Sequence, residues 1–243
     1  MRSIPILNSK AIALMAFVAV SAPVSAASFD NVSNLTQDQF ITLAENLSAA
    51  THYRSVKAPE PLGIIGFDLG LEISSTETDS SLFDLASSGS FDGSEIIIPR
   101  VHAHKGLPFG IDIGASLASV PEVDATILGA EISYALIEGG AVSPAVGVRA
   151  SYSQLQGVDE FDLNSAAIEL GISKGVLFLT PYAGVGMVRS SVDPVNADGL
   201  QSDSFDQRKL VVGAIVNLGF AFTLELDQTG DYRTYTAKGG FRF

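Results

Sequence analysis

The sequence predicts an all-β protein: a closed antiparallel transmembrane β-barrel of about ten strands (roughly eight to twelve), preceded by a short amphipathic helix. Three observations carry that expectation. From residue 62 onward, apolar and polar residues alternate with a two-residue period, which gives each strand one apolar face and one small or charged face. The repeats have the roughly 9 to 11 residues that a tilted strand needs to cross a bilayer. Of the 243 residues, 47% are hydrophobic and only 17% charged, against roughly 25% charged in an ordinary soluble domain. No stretch after residue 26 is long and apolar enough for a membrane helix. Such a chain must bury its apolar surface in a core or turn it toward lipid as a barrel.

The elements follow in order. Residues 1–26 place Arg2 and Lys10 ahead of the apolar run Ala11 to Val20 and a small-residue ending at Ser25-Ala26, the pattern of a cleaved secretory signal peptide. Its removal takes away two positive charges and moves the formal net charge from −13 to −15. Residues 27–61 form an N-terminal segment. Within it Thr36 to Gln39 is a capping box, and Phe40, Ile41, Leu43, Ala44 and Leu47 recur at helical spacing, so a helix is expected near 37–50. With Asp38, Glu45 and no Lys or Arg, this helix is ill suited to an anionic membrane surface. A cover of the periplasmic mouth or a soluble periplasmic cap is the plainer role for it, and a lumen plug that gates passage the sharper one.

The barrel is expected over residues 62–243. Ile65 to Ser74, Phe109 to Ala118 and Leu128 to Leu136 alternate cleanly, as do Val146 to Ser153, Ala166 to Ser173, Phe220 to Asp227 and Tyr235 to Phe243. Three stretches are less regular. Glu95 to Lys105 contains Pro99, which weakens a central strand; residues 181–190 turn Arg189 outward, to a place near the membrane rim; Leu210 to Asn217 is apolar on both faces. The connections read as alternately long and short, with 76–93, 119–124, 155–160 and 191–206 on one side and Gly106-Leu107, Gly139-Gly140, Gly175 and Leu218-Gly219 on the other. Bulky residues occupy the apolar face and Gly, Ala and Ser much of the polar one, which favours lipid outside and a crowded lumen inside over a soluble sandwich or lipocalin-like barrel.

The chain ends Tyr235-Thr-Ala-Lys-Gly-Gly-Phe241-Arg-Phe243. This ending resembles the C-terminal signal of Gram-negative outer-membrane β-barrel proteins, in which alternate apolar residues and a final aromatic are read by the barrel-assembly machinery. The stretch Pro59 to Phe67 resembles the opening of an uncharacterised family of predicted outer-membrane barrels with a short N-terminal helix. The resemblance implies an exported protein of the Gram-negative outer membrane with short periplasmic turns. It also implies outer-membrane lipid and lipopolysaccharide as surroundings, and Tyr235, Phe241 and Phe243 as the assembly signal. An even strand count then returns the C-terminus to the periplasm beside the N-terminus. Trp is absent, so Tyr134, Tyr152, Phe220, Phe222, Tyr235 and Phe243 would have to supply the aromatic girdles.

The polar face is expected to carry a lumen network with both signs of charge, formed by Asp68, Glu72, Arg100, His102, His104, Asp112, Glu131, Arg149, Glu169, Glu225, Lys238 and Arg242. In a barrel of about ten strands, side chains fill most of the interior, so these groups pair and the barrel is closed or narrowly conducting. Catalysis is not expected. His52 lies before the barrel, and His102 and His104 sit at the wrong end for the resemblance to carry an enzyme site over. The serines Ser74 and Ser75 belong to the opposite end, whereas a Ser-His-acid arrangement needs contact. A pair of His two residues apart could bind a metal, but no third ligand follows from spacing. No cofactor is implied. Absence of Cys excludes disulfides and thiolate sites, and the acidic balance excludes nucleic acid as a partner. The outer connections carry Glu77, Asp79, Asp84, Asp92, Asp159, Glu160, Asp162, Asp193, Asp198, Asp203 and Asp206; divalent cations are candidate partners there, although no calcium-loop spacing is present. The functions that follow are a structural or surface-interaction role, a narrow transport barrel gated by the helix, or a lipid-modifying envelope enzyme.

Overall fold

The computed structural model describes residues 29–87, 89, 94–120, 125–197 and 199–243. The expected leader at 1–26 lies outside these residues, as do Asp92, Asp198 and the connection 121–124. Ten strands close into one antiparallel barrel: β1 (Phe67–Glu77), β2 (Glu95–Gly106), β3 (Ile111–Val120), β4 (Ala125–Ile137), β5 (Ala145–Gln156), β6 (Phe161–Ser173), β7 (Leu179–Pro194), β8 (Asp203–Asn217), β9 (Ala221–Thr229) and β10 (Tyr232–Arg242). Each pairs with its chain neighbours, and β1 pairs with β10 to close the ring. A hydrogen-bonded row that starts at Leu179 on β7 passes through Val216, Phe222, Gly239, Leu71, Val101, Leu117, Leu128, Gln154 and Asn164. It returns to β7 at Ser191, twelve residues beyond its start. This stagger tilts the strands and climbs a little over one residue per strand.

The wall is apolar outside and polar inside. Leu69, Leu71, Ile73, Val101, Ile113, Leu117, Ile168, Leu170, Val185, Leu210, Val212, Leu224 and Phe241 are exposed, whereas Asp68, Glu72, Arg100, His102, His104, Asp112 and Glu131 are buried. β8, where both faces are apolar, resolves with Gln207, Lys209, Val211 and Ile215 inward and Leu210 and Val212 outward. At one mouth of the barrel β10 ends and β1 begins, with Phe67 and Phe243 exchanging backbone hydrogen bonds at 3.0 and 3.2 Å. The opposite mouth holds two helices, α1 (Gln37–Thr51) and α2 (Ser80–Ala86). These are called the C-terminal mouth and the helix mouth below.

Several expectations are corrected. The barrel begins at Phe67 rather than at residue 62, and Ile64 and Ile65 stand outside the strand, exposed. Phe109 belongs to a tight turn with φ of 67° rather than to β3. The connection between β4 and β5 spans 138–144, longer than the Gly139-Gly140 turn. At the helix mouth, much of the chain assigned to loops is strand, because Asp162 pairs with Asp193 and Asp203 with Val192. Polar, outward-facing positions there continue the ladder past the apolar belt, where alternation no longer marks it. The short helix α2 inside the first connection was not expected; Asp79 caps it, and Leu82, Phe83 and Ala86 are buried.

The N-terminal segment departs most from a cap beside the C-terminus. Its helix α1 forms where the capping box places it, with Thr36 and Gln39 bonded reciprocally, but it sits in the helix mouth, across the barrel from Phe243. The apolar core of the protein is there. Phe29, Phe40, Leu43 and Leu47 pack with Phe83 of α2 and with Ile96, Ile98, Ile127, Phe161, Leu163 and Val192 on the inner wall, and the rings of Phe29 and Phe161 lie 5.6 Å apart. Inward positions near the helix mouth are apolar for this reason, whereas those deeper in the lumen are mostly charged, with a smaller apolar cluster of Ala58, Tyr182, Val211, Ile215 and Ala221 among them.

Candidate functional site

The lumen is the candidate site, and the chain itself fills it. After α1, residues 52–62 run down the interior toward the C-terminal mouth. At the top, the Ser48 hydroxyl lies 2.6 Å from that of Ser190, and Gln207 donates to the Glu45 carbonyl at 3.2 Å. Below the helix, Arg54 donates to the Ala50 carbonyl at 2.8 Å and to the Thr234 hydroxyl at 2.9 Å. The Tyr53 hydroxyl lies 3.0 Å from His104 Nε2. Lys57 Nζ donates to Asp112 Oδ2 at 2.7 Å, and the same carboxylate accepts from the Leu62 backbone N–H at 3.0 Å. The wall answers in kind: Arg149 donates to the Lys57 carbonyl at 2.9 Å and Lys238 to the Val56 carbonyl at 3.3 Å. Glu60, where the segment leaves the lumen, pairs with Arg242 at 3.8 Å.

Two features make room for the segment. A Cβ on Gly129 would lie 2.5 Å from Tyr53 Cδ2, and one on Gly114 would lie 2.3 Å from His104 Cδ2 and 2.8 Å from the Tyr53 hydroxyl. Val56 takes φ of 45°, a left-handed conformation that a β-branched residue adopts only under constraint. The space left between Tyr53, Ser55, Glu131, Arg149, Glu169 and Lys209 is about 10 Å³, room for about one water.

Charge explains why this segment and this wall belong together. The wall buries seven carboxylates, Asp68, Glu72, Asp112, Glu131, Glu169, Glu225 and Asp227, against four cations, Arg100, Arg149, Lys209 and Lys238. Arg54 and Lys57 of the segment bring the buried cations to six. His52 of the segment lies 3.8 Å from Asp227, and further contacts are wall to wall: Lys238 to Asp68 at 2.7 Å, Lys209 to Glu169 at 3.1 Å and to Asp227 at 3.5 Å, Arg149 to Glu169 at 3.6 Å. The Tyr182 hydroxyl donates to Glu225 at 2.6 Å. His102 is bonded to Glu72, while Arg100 meets the other oxygen of Glu72 at 3.7 Å, a Coulombic contact rather than a hydrogen bond. In the connections, the Ser81 hydroxyl and the Leu82 N–H hold the Asp79 carboxyl below its usual range, and burial raises Glu160.

Of the residues expected in the lumen, Asp68, Glu72, Arg100, His102, His104, Asp112, Glu131, Arg149, Glu169, Glu225 and Lys238 are buried in it, and Arg242 lies at its C-terminal mouth, partly exposed. Tyr235, Phe241 and Phe243 are exposed on the outside. The sequence pattern does not reach Tyr53, Arg54, Lys57, Lys209 or Asp227. Arg54 and Lys57 are the sole basic residues between 27 and 99 other than His52, a signal that no strand pattern interprets. Lys209 and Asp227 sit at the margins of their expected strands. Each imidazole on the wall is engaged by an acid or a phenol, and Ser74 donates to the Ile98 carbonyl at 3.3 Å. Among the described residues no group of three or more His, Asp or Glu is placed to hold a metal ion.

The fold and its lumen define a class: a closed ten-stranded barrel, apolar outside, with a polar interior occupied by its own chain. No family model matches this sequence, and no curated protein does. Among solved structures it is similar to Ail, the attachment invasion locus protein of Yersinia pestis, at 10% identity and a TM-score of 0.32, over 73% of this chain and 98% of that one. It is similar to the N-terminal β-barrel domain of Pseudomonas aeruginosa OprF at 11% and 0.35, over 72% and 97% of the two chains. The Acinetobacter baumannii outer membrane protein Omp33 matches at 8% and 0.32, over 74% and 100%. Similarity at this level bears on neither ligand nor activity.

Proposed function

We propose that this protein is an outer-membrane β-barrel of a Gram-negative bacterium, held shut by its own N-terminal segment, with a structural or surface-interaction role and no catalysis. One observation carries the reading: the barrel is inverted relative to a soluble protein, with large apolar side chains outside and buried charges inside that its own residues 52–62 occupy. In this reading residues 1–26 are a cleaved signal peptide, residues 27–61 a plug and the rest the barrel. Tyr235, Phe241 and Phe243 are read by the assembly machinery, and the lumen network is structural. The C-terminal mouth faces the periplasm, as the chain ending predicts, and the helix mouth faces outward. Outer-membrane lipid and lipopolysaccharide surround it, and acidic residues near the helix mouth such as Asp79, Asp84 and Asp193 attract divalent cations.

A second reading, narrow transport gated by the segment, is favoured by one observation: all ten strands close without it, so it can leave without opening the wall. Planar-bilayer recording of the full chain and of a variant lacking residues 28–58 tests both. The full chain is expected to stay closed. Heat-modifiable gel mobility reports whether the shortened barrel folds, and a folded variant is expected to conduct. Large, stable currents from the full chain would overturn the sealed barrel, and a folded but silent deletion variant would remove the transport reading.

A further inference from the structure

The helix mouth holds a groove between its two helices. It measures about 560 Å³ and runs between Asp38 and Thr42 of α1 and Asp79, Leu82, Asp84 and Leu85 of α2. Beyond it, the carboxylates of Glu45, Asp79 and Asp231 all bear on the Tyr232 hydroxyl, so Asp79 joins the groove to a second acidic group beside β10. Five carboxylates, from α1, the start of α2 and the β9–β10 turn, thus line one stretch of the mouth.

None of the five forms an ion pair among the described residues. The chain has no Lys or Arg at 27–53 or 58–99, so neither helix supplies a cation. The arginines of the neighbouring strands are engaged on the outer face: Arg233 stands beside Glu77, because Thr234 pairs with Thr76, and Arg189 meets Asp206 at 3.4 Å. Burial, and then the facing Asp231 carboxylate, raise the Glu45 carboxyl above its usual range, as two like charges do when no cation lies between them.

The inner end of this stretch carries buried polar groups with nothing to bond. Asp38, Thr42 and Asn46 follow one another at four-residue spacing along one side of α1. Asn46 is fully buried, yet neither its amide nitrogen nor its oxygen has a hydrogen-bond partner. Gln207 donates to the Glu45 carbonyl at 3.2 Å and leaves its own Oε1 buried and without a partner. Gly230 presses against it, since a Cβ there would lie 2.7 Å from Gln207 Nε2. Buried polar atoms are nearly always hydrogen-bonded, so these amides point to a ligand that donates.

Spacing selects that ligand. Among the described residues no three acids are placed to hold one metal ion, so a compact cation meets only one or two of them at a time. A chain carrying several separated ammonium groups meets them in turn. Each ammonium offers three donors and accepts nothing, which suits carboxylates and the orphaned amide oxygens, while Leu82 and Leu85 give methylene spacers an apolar strip. The volume is that of a small-molecule site.

We propose that the groove between α1 and α2 binds a linear polyamine, with ammonium groups at Asp38, Asp84, Asp79 and the Glu45–Asp231 pair. Bound there, it ties α1 to α2 and to the β9–β10 turn and straps the segment into the barrel. The site rests on the reading of a docked segment, not on which mouth faces outward, and it is more selective than the attraction of divalent cations to an acidic surface.

Isothermal titration calorimetry of the folded full chain in non-ionic detergent, with spermine, butylamine and Mg²⁺, tests it. Spermine is expected to bind about tenfold or more tightly than either, because linked charges bind at high effective concentration. A D38N/D79N/D84N variant is expected to lose that preference, with Asn keeping the α2 cap at position 79. A D159N/D162N/D193N variant, which removes as many charges elsewhere at the helix mouth, is expected to keep it. Equal binding of spermine and Mg²⁺ by the wild type, or the same loss in both variants, would overturn the site. Hydrogen exchange of the wild type separates the two readings: spermine is expected to slow the amides of α1 and α2 and leave those of β3–β5 unchanged. Protected α1 amides that do not respond to spermine would remove the site alone, and α1 amides that exchange freely without ligand would remove the docked segment and the site with it.

Discussion

At the scale of single residues, parity tells which side chains face inward but not what meets them. Glu72, Arg100, His102 and His104 could be assigned to one face from alternation alone, since a strand has a fixed two-residue period. Glu72 meets His102 and Arg100 on the neighbouring strand, but the partner of His104 could not be assigned, because Tyr53, like Arg54 and Lys57, comes from a segment whose path no local pattern encodes. Lys57 gives the clearest consequence. Both it and Asp112 are almost fully buried and 2.7 Å apart, so removing one leaves the other charged without its counter-ion. Lys57→Met is expected to destabilise the folded barrel by about 3–5 kcal/mol, read as a lower unfolding temperature in detergent, and a K57M/D112N double variant is expected to recover part of the loss. An unchanged melting point in the single variant would show that this pair does not anchor the segment. Gly129 offers a steric counterpart: Gly129→Ala sets a Cβ against the Tyr53 ring, an overpacking worth about 1–3 kcal/mol. Combining it with Tyr53→Ala should remove that penalty, and strict additivity of the two changes would contradict the contact.

At the scale of elements, the sequence is legible wherever two periodic signals agree. The capping box and the helical spacing of Phe40, Leu43, Ala44 and Leu47 mark α1 correctly, and the seven regular strands lie where alternation puts them. Boundaries are less legible, for a physical reason. Above the lipid belt the outward face of β6, β7 and β8 turns polar at Asp162, Asp193 and Asp206 while the ladder goes on pairing, so the hydrophobic alternation stops before the hydrogen bonds do. α2 is invisible because seven residues give too few turns to establish a period. The cap of α1 carries a prediction of its own. Thr36 accepts from the Gln39 N–H, and Thr36→Ala should cost about 1 kcal/mol, seen as faster hydrogen exchange in the first turn of α1 with the barrel amides unaffected. Equal acceleration across β1 and β10 would mean that α1 and the barrel open as one unit.

At the scale of the whole molecule, the low charge and high apolar content of the chain find their explanation in an inverted barrel, and that much follows from composition and period together. The path of residues 29–62 does not. An amphipathic helix with Asp38 and Glu45 on its polar side fits a cap, a plug or a free segment equally well by its pattern, and the choice is made by contacts far apart in sequence, among them Ser48 with Ser190 and Tyr53 with His104. The central claim is that the segment passes through the barrel, so that its two ends open on opposite sides of the membrane. The chain has no Cys, which allows single-cysteine labelling without background. Asn34 is exposed at the helix mouth, and Ile64 is exposed at the C-terminal mouth. The most direct measurement is labelling of Asn34→Cys and Ile64→Cys variants by a membrane-impermeant maleimide, on intact cells and after the outer membrane is opened. The account predicts that the Asn34→Cys variant reacts on intact cells and the Ile64→Cys variant only after opening; reaction of both from the same side would contradict it.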